Sequence, residues 1–183
     1  MSKLRTYRDP LDPGRVARTR DQWVSNETYT EMVQKTVIPC TDVVITIAGD
    51  TAIYLGKRVA FPMAGLWILG GRIWFNDESL EDSIARCLHL ETGMQVNPER
   101  FVTLPVTHLY SWVKVAQGDF CGKNMAVTFK LEVTQEELAK MSASLHPKEY
   151  DREFGLQRFT LERLVDEHAH PALVDLFNDI FAK

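Results

Sequence analysis

The sequence has few cysteines and lacks long apolar runs, and these two absences exclude whole classes of protein. Three of its 183 residues are cysteine (Cys40, Cys87 and Cys121), and they stand far apart. Because their number is odd and their spacing is not that of metal ligands, a disulfide scaffold is not expected. The longest apolar stretches, such as residues 43–45, are far too short to cross a bilayer, so a membrane-spanning helix is not expected either.

An excess of positive charge is also missing. The chain has 21 Lys and Arg against 25 Asp and Glu, a net charge of -4, whereas a nucleic-acid-binding protein is normally strongly basic. Lys3, Arg5 and Arg8 stand near the start, but no apolar segment follows them, so no secretory signal is predicted. We therefore expect a cytoplasmic protein that binds neither nucleic acid nor membrane.

Length and composition favour one domain with a short appendage. A domain has roughly 150 residues, and hydrophobic and charged fractions of 45% and 25% are ordinary for a globular protein. Residues 1–24 contain the turn-forming pairs Asp9-Pro10 and Asp12-Pro13 and no apolar period. They are predicted to form an extended N-terminal arm before a domain that covers residues 25–183.

Helical and strand patterns alternate within residues 25–183. A first helix is predicted over residues 25–37, with Thr28 and Glu31 as a capping box and Pro39 as its end. Strands are predicted over residues 42–48, 51–55, 101–109, 125–133 and 156–159, with further helices over residues 135–141 and from Pro171 onwards. This order predicts an α/β (α+β) sandwich, in which helices cover both faces of a mixed β-sheet.

The segment that indicates chemistry is GGRIWFNDESLEDSIARCLHLETGM, residues 70–94. It runs from a glycine pair through a loop into an amphipathic helix that begins near Glu78, is capped by Asn76 or Asp77, and ends at Gly93. The segment resembles the signature of the Nudix hydrolases, in which a Gly precedes a Glu, then Arg-Glu, then a Glu pair before a Gly. In this resemblance Glu78 is the early Glu, Arg86 the Arg and Glu91 the last Glu.

Two of the carboxylates of that signature are missing, because Cys87 and Leu90 stand at their positions. The resemblance implies that Glu91 and a carbonyl of Gly70 or Gly71 hold a divalent cation, Mg²⁺ or Mn²⁺, which prefers oxygen ligands. With the carboxylates reduced in number, one ion is expected rather than a cluster. Arg86 and Glu78 would support the metal-binding Glu91.

A signature thinned in this way resembles the GDP-mannose mannosyl hydrolases, in which water attacks the anomeric carbon and a nucleoside diphosphate leaves. Residues 55–58 (LGKR), 62–67 (PMAGLW) and 129–138 also resemble this subgroup. The resemblance implies a Mg²⁺-dependent hydrolase of a nucleoside-diphosphate sugar that forms a homodimer through its N-terminal helix. Two alternatives are a pyrophosphohydrolase that cuts a phosphoanhydride, and an inactive Nudix domain that binds a nucleotide or a partner.

The resemblance also implies roles for single residues of this chain. Arg58 and Arg72 would bind the diphosphate, since a guanidinium can contact two oxygens at once. Asp42 would fix the substrate near the sugar or the base. His108, expected in the loop after residues 103–107, would lie near the leaving group. Independently of the resemblance, the aromatic side chain of Trp112 could meet a nucleobase.

The general base is expected in the loop over residues 146–154. Counting back from residues 157–159 places Glu153 at the position of the family's base. His146, displaced by a longer loop, and Glu149 are alternatives. A neutral histidine is the natural base at pH 7, whereas a glutamate needs burial to raise its pKa.

Overall fold

A mixed β-sheet forms the centre of the fold. The computed structural model describes residues 25–112 and 122–182, and within them the sheet has seven strands. The strands are β1 (Val37–Ile47), β2 (Ile53–Arg58), β3 (Gly65–Trp67), β4 (Leu69–Arg72), β5 (Val102–Trp112), β6 (Gly122–Val133) and β7 (Leu156–Phe159). The helices are α1 (Asn26–Lys35), α2 (Leu80–Thr92), α3 (Gln135–Ala143), α4 (Leu161–Asp166) and α5 (Pro171–Phe181), with a 3₁₀ turn at Pro98–Arg100.

Strand β1 is the central strand and organises the sheet. The order is β3-β2-β1-β6-β5, with β4 paired to β1 and β7 paired to β2. The β1–β6 pairing is parallel and the other pairings are antiparallel. In this register Asp42 of β1 lies opposite Gly70 of β4 and Thr128 of β6. A carboxylate is thus placed in the middle of the sheet, next to the glycine pair.

Two apolar cores separate on the two faces of the sheet, because successive side chains of a strand point to opposite sides. One core joins Val44 of β1 to α1, α4 and α5. The other joins Val43 of β1 to α2 and α3. Helices therefore cover both faces, and the predicted α+β sandwich with a mixed sheet is confirmed.

The ends of the first helix differ from the prediction. Its N-cap is Ser25, whose hydroxyl accepts from the Thr28 amide, so the expected Thr28–Glu31 capping box is wrong. The helix ends at Lys35, because the backbone is extended at Thr36. Pro39, which was expected to end the helix, lies inside β1.

The start of α2 differs from the prediction, and its end agrees with it. Its cap is Ser79, whose hydroxyl accepts from the Asp82 amide. Asp77, one of the two expected caps, instead pairs with Arg86. Gly93 ends the helix in the left-handed region at φ 69°, as the sequence predicts.

No helix within the described residues has the length and apolar character needed to span a membrane. The predicted N-terminal arm, residues 1–24, lies outside the described residues.

Candidate active-site cleft

A cleft of about 500 Å³ opens where β1, β4, α1 and α2 meet. Three basic side chains and three acidic side chains line it, together with an aromatic wall. The basic side chains are Arg58, Arg72 and Arg86, the acidic ones Asp42, Glu91 and Glu149, and the wall includes Trp67, Tyr110 and Trp112. Most of the residues predicted from the resemblance are therefore brought together, whereas Glu78, His108 and Glu153 are not among the lining residues.

The backbone of Gly70 lies between the carboxylates of Asp42 and Glu91. Its amide donates to Glu91 Oε2 at 2.9 Å. Its φ of +157° lies outside the range that L residues favour, and a Cβ there would overlap both the Asp42 carboxylate and the Thr41 carbonyl. Glycine is required at this position, because only a bare backbone can approach β1 so closely.

Glu91 is held in a buried environment at the C-terminal end of α2. Its Oε1 accepts from the Tyr150 hydroxyl at 3.1 Å, and its Oε2 accepts from Gly70. Burial raises the pKa of Glu91 to about 8, although Arg58 and the two hydrogen bonds act in the opposite direction. Burial likewise raises the pKa of Asp42 to about 7, against the opposing charge of Arg58.

Arg58 is the buried cationic side chain that faces Asp42 and Glu91. Its side chain is only 15% exposed, and Nη2 forms an ion pair with Glu149 Oε2 at 2.8 Å. Its Nε has no hydrogen-bond partner among the residues that the structure describes. A buried guanidinium with an uncommitted donor is a favourable site for a phosphate oxygen.

Arg86 does not support Glu91 as expected. Its Nε and Nη2 bind Asp77 in a bidentate pair at 2.8 and 2.7 Å, and Nη2 also donates to the Arg72 carbonyl. The physical reason is helical geometry, since side chains five positions apart point about 140° away from each other. Arg86 therefore fixes the loop between β4 and α2, while Gly70 and Tyr150 hold Glu91.

Two other predicted residues lie away from the cleft lining. Glu78 is exposed immediately before the Ser79 cap, and its support of Glu91 stays a prediction. His108 lies within β5 rather than in a loop, because the strand continues past a register shift between Thr103 and Thr107. Its ring stacks on Tyr110 with centroids 5.7 Å apart.

Arg72 is exposed and reaches the cleft from the end of β4. Its guanidinium lies 4.1 Å from the ring centroid of Tyr29 on α1, in a cation–π contact. Helix α1 therefore takes part in the cleft, because Tyr29 and Val33 both line it.

Two of the three candidate bases lie at the cleft and the third does not. His146 and Glu149 line the cleft, and the His146 amide donates to the Glu91 carbonyl at 2.7 Å. Glu149 is already paired with Arg58. Glu153 is exposed in the turn beyond, outside the cleft lining, because residues 151–154 turn away before β7 begins.

Tyr150 is the main site residue that sequence reasoning missed. It is buried, and it donates to Glu91 and lies within hydrogen-bonding distance of the Ile68 carbonyl. It stands 59 positions from Glu91, and no local pattern links two positions so far apart. The bridge between Tyr150 and Arg58 at the end of β2 brings it into the site.

The acidic groups suit one hard cation rather than several. Asp42, Glu91 and Glu149 bring more carboxylates to the cleft than the buried Arg58 can neutralise, and carboxylate and carbonyl oxygens are the ligands that Mg²⁺ takes. Within residues 25–112 and 122–182, no three His, Cys, Asp or Glu side chains form a metal-binding group. Glu91 with the carbonyl of Gly70 or Gly71 is therefore the candidate donor set for one ion.

Substitution of Gly70 tests the close approach of β4 to β1. We expect Gly70→Ala to lower the free energy of unfolding by more than about 2 kcal/mol, since strain at an unfavourable φ adds to a backbone clash. Gly49→Ala is the matched control, because Gly49 also has a positive φ (+76°) but its Cβ would meet open space. Urea denaturation measures both variants, and equal losses would contradict the proposed clash.

Comparison with known proteins identifies the fold. No family model and no curated protein matches the sequence. Shewanella oneidensis NrtR is 21% identical with a TM-score of 0.54, over 78% of this chain and 61% of that one. NrtR complexed with a 27mer DNA is 22% identical with a TM-score of 0.52, over 76% and 58%. The C. elegans Ap4A hydrolase binary complex is 12% identical with a TM-score of 0.51, over 80% and 96%.

The chain spans about three fifths of the length of NrtR. Identities this low establish the fold alone. The chain has the Nudix-type α/β/α fold that its sequence predicted.

Proposed function

We propose that this protein is a Mg²⁺-dependent hydrolase of a nucleoside-diphosphate sugar of the GDP-mannose type. Water attacks the anomeric carbon, the bond from that carbon to the diphosphate oxygen breaks, and sugar and nucleoside diphosphate leave. The observation that carries this proposal is the convergence of Arg58 and Arg72 with the buried Glu91 in one cleft. Cationic and metal-binding groups meet there, as a diphosphate leaving group requires.

The diphosphate is bound by the two arginines. Arg58 offers its Nε from a buried position, where electrostatic attraction is stronger than in water. Arg72 lies at the exposed side of the cleft, supported by the ring of Tyr29. Phosphate oxygens can take over part of the contact that Arg58 now makes with Glu149.

A single Mg²⁺ or Mn²⁺, held by Glu91 and the carbonyl of Gly70 or Gly71, would neutralise charge on the leaving diphosphate. The positions where the signature has further carboxylates support one ion. Cys87 is buried and its pKa is raised to about 11, so the thiol is neutral at pH 7. Leu90 is apolar. A single ion can stabilise the leaving diphosphate, whereas attack of water at phosphorus uses several metal ions. One ion therefore supports attack of water at the anomeric carbon.

His146 is the better candidate for the general base. It lies at the cleft, and its position is fixed by the backbone hydrogen bond to Glu91. Glu149 is less suitable, because its carboxylate is already engaged in an ion pair with Arg58 at 2.8 Å.

Two other functions are consistent with the same cleft. A pyrophosphohydrolase would use Arg58 and Arg72 in the same way but cut a phosphoanhydride. A binding domain without turnover is favoured by the neutral Cys87 and Leu90 at carboxylate positions. NrtR has been crystallised with DNA, whereas the net charge of -4 is our reason to expect no nucleic-acid partner for this chain.

A homodimer through α1 and a cytoplasmic location stay predictions. Helix α1 is exposed over most of its length apart from Val33 and the side of Tyr29 that faces the cleft. A second subunit at α1 would therefore lie beside Arg72.

Loss of the Glu91 carboxylate tests the metal site. We expect Glu91→Gln to lower Mg²⁺-dependent kcat/KM for a nucleoside-diphosphate sugar by at least about 100-fold, because a neutral amide binds the cation poorly. The matched control is Glu162→Gln, an exposed glutamate at the start of α4. Steady-state rates over a Mg²⁺ titration measure both variants. Wild-type turnover that does not depend on Mg²⁺ would refute the metal site, and absence of turnover despite tight binding would favour the binding domain.

Hydrolysis in ¹⁸O-labelled water distinguishes the two enzymatic reactions. We expect the label in the free sugar, because the nucleophilic water bonds to the anomeric carbon. Mass spectrometry of sugar and nucleotide products locates it. Label in a phosphate would identify cleavage of a phosphoanhydride and overturn glycosyl attack.

Replacement of His146 tests the base. We expect His146→Gln to lower kcat by about 100-fold or more, because a glutamine amide cannot take up the proton of the attacking water. His89→Gln is the control, because His89 is exposed on α2. A His146→Gln variant with unchanged kcat would exclude His146 as the base.

A further inference from the structure

Three buried polar atoms have no hydrogen-bond partner within the described part of the chain: Arg58 Nε, Tyr110 Oη and Trp112 Nε1. All three side chains line the cleft. A buried polar atom that is left unpaired costs free energy, so each one needs an explanation. The proposed diphosphate accounts for Arg58, but it does not account for the two atoms on β5.

Tyr110 and Trp112 form a rigid wall. They are alternate residues of β5, so their side chains share one face of the sheet. Their ring centroids are 5.2 Å apart, and Trp67 packs edge-on against both at 5.3 and 5.6 Å. Both residues are less than 10% exposed, so their polar atoms are held in place before any ligand arrives.

The neighbouring strand adds an amide group. Asn124 lies opposite Tyr110 in the pairing of β6 with β5, and it also lines the cleft. Its side chain can both donate and accept. The wall therefore presents two unpaired donors and a nearby amide on one aromatic surface.

The chemistry of these atoms limits the ligand. The Trp112 indole N–H can only donate, so the group that meets it must be an acceptor. Burial and the charge of Asp42 raise the pKa of Tyr110, which keeps its hydroxyl protonated and able to donate. Arg58 and Arg72 favour an anion at their own side of the cleft, whereas the two donors of the wall carry no charge. A neutral acceptor therefore suits the wall, and the diphosphate suits the arginines.

We propose that Tyr110, Trp112 and Asn124 form the subsite for the nucleobase of the bound nucleotide. A base carbonyl or ring nitrogen accepts from the Tyr110 hydroxyl and the Trp112 N–H, and the Asn124 amide contacts the same edge of the base. Nucleobases carry neutral carbonyl oxygens and ring nitrogens along their edges, which are the acceptors that these two donors require. This inference rests on the proposed function, because it takes a nucleoside diphosphate as the ligand.

Removal of the Tyr110 hydroxyl separates binding from stability. In Tyr110→Phe we expect affinity for GDP or UDP, measured by titration calorimetry, to fall by about 3- to 10-fold, the effect of one lost hydrogen bond. Affinity for pyrophosphate, which has no base, should stay the same. The melting temperature of the free protein should stay equal or rise, because an unpaired buried group has been removed.

Tyr54→Phe is the matched control. The Tyr54 hydroxyl donates a hydrogen bond of 2.9 Å to Asp50, and Tyr54 does not line the cleft. It should lower the melting temperature and leave nucleotide affinity unchanged. Trp112→Phe removes the second donor and should weaken nucleoside diphosphates but not pyrophosphate.

The outcomes separate this inference from the proposed function. If wild-type protein binds pyrophosphate and nucleoside diphosphates equally, and both cleft variants behave like wild type, the nucleobase subsite is refuted while the diphosphate site stands. If Tyr110→Phe weakens a nucleoside-diphosphate sugar but not the nucleoside diphosphate, the hydroxyl contacts the sugar and the assignment is wrong. If wild-type protein binds none of these ligands, the proposed function itself fails.

Discussion

The close passage of Gly70 between Asp42 and Glu91 is the constraint on which the cleft depends. A side chain at this position would overlap Asp42 and Thr41, so only glycine lets β4 pair with β1 at this point. The pairing brings the Gly70 amide to Glu91 and carries Arg72 from the end of β4 to the mouth of the cleft. The Arg72 carbonyl accepts a hydrogen bond from Arg86, and Arg86 also binds Asp77 and so fixes the loop that leads into α2. Glu91 and Arg72, on two sides of the cleft, are thus both positioned by one backbone contact.

The electrostatics of the cleft follow from the burial of one cationic side chain, Arg58, among three carboxyl groups. Arg58 is shared among Asp42, Glu91 and Glu149, and its charge lowers the pKa of the first two without overcoming burial. Carboxylates with raised pKa values are costly in the free protein, because their charged forms lose hydration. A cation at Glu91 would relieve this imbalance, and it would also offset the negative charge that a diphosphate brings to Arg58. The proposed metal ion and the proposed diphosphate would therefore favour each other's binding.

Features with a local cause were predictable from the sequence, whereas features that depend on distant pairing were not. The left-handed end of α2 needs a glycine, and Gly93 indicates it directly; β7 spans Leu156–Phe159 as its short apolar pattern predicts. The start of α1 was misplaced because two hydroxyl residues three positions apart, Ser25 and Thr28, could each have been the cap. The partner of Arg86 depends on the path of the loop after β4, and the contact of Tyr150 with Glu91 depends on how residues 146–150 cross the end of β2. Neither path leaves a pattern in the sequence.

The distribution of unpaired atoms distinguishes the cleft from the rest of the fold. Elsewhere in the described residues, charged groups such as Arg100, Arg158 and Arg163 have carboxylate partners. In the cleft, Arg58 is also paired with a carboxylate through Nη2, but Arg58 Nε, Tyr110 Oη and Trp112 Nε1 are buried and have no hydrogen-bond partner among the described residues. A fold optimised only for stability would fill these positions with apolar side chains, since an unpaired buried donor costs about 1–3 kcal/mol. A ligand that pairs these atoms removes the cost, so its binding should also stabilise the folded state. The ligand-free protein is therefore less stable than it could be, because these donors are already positioned for a ligand.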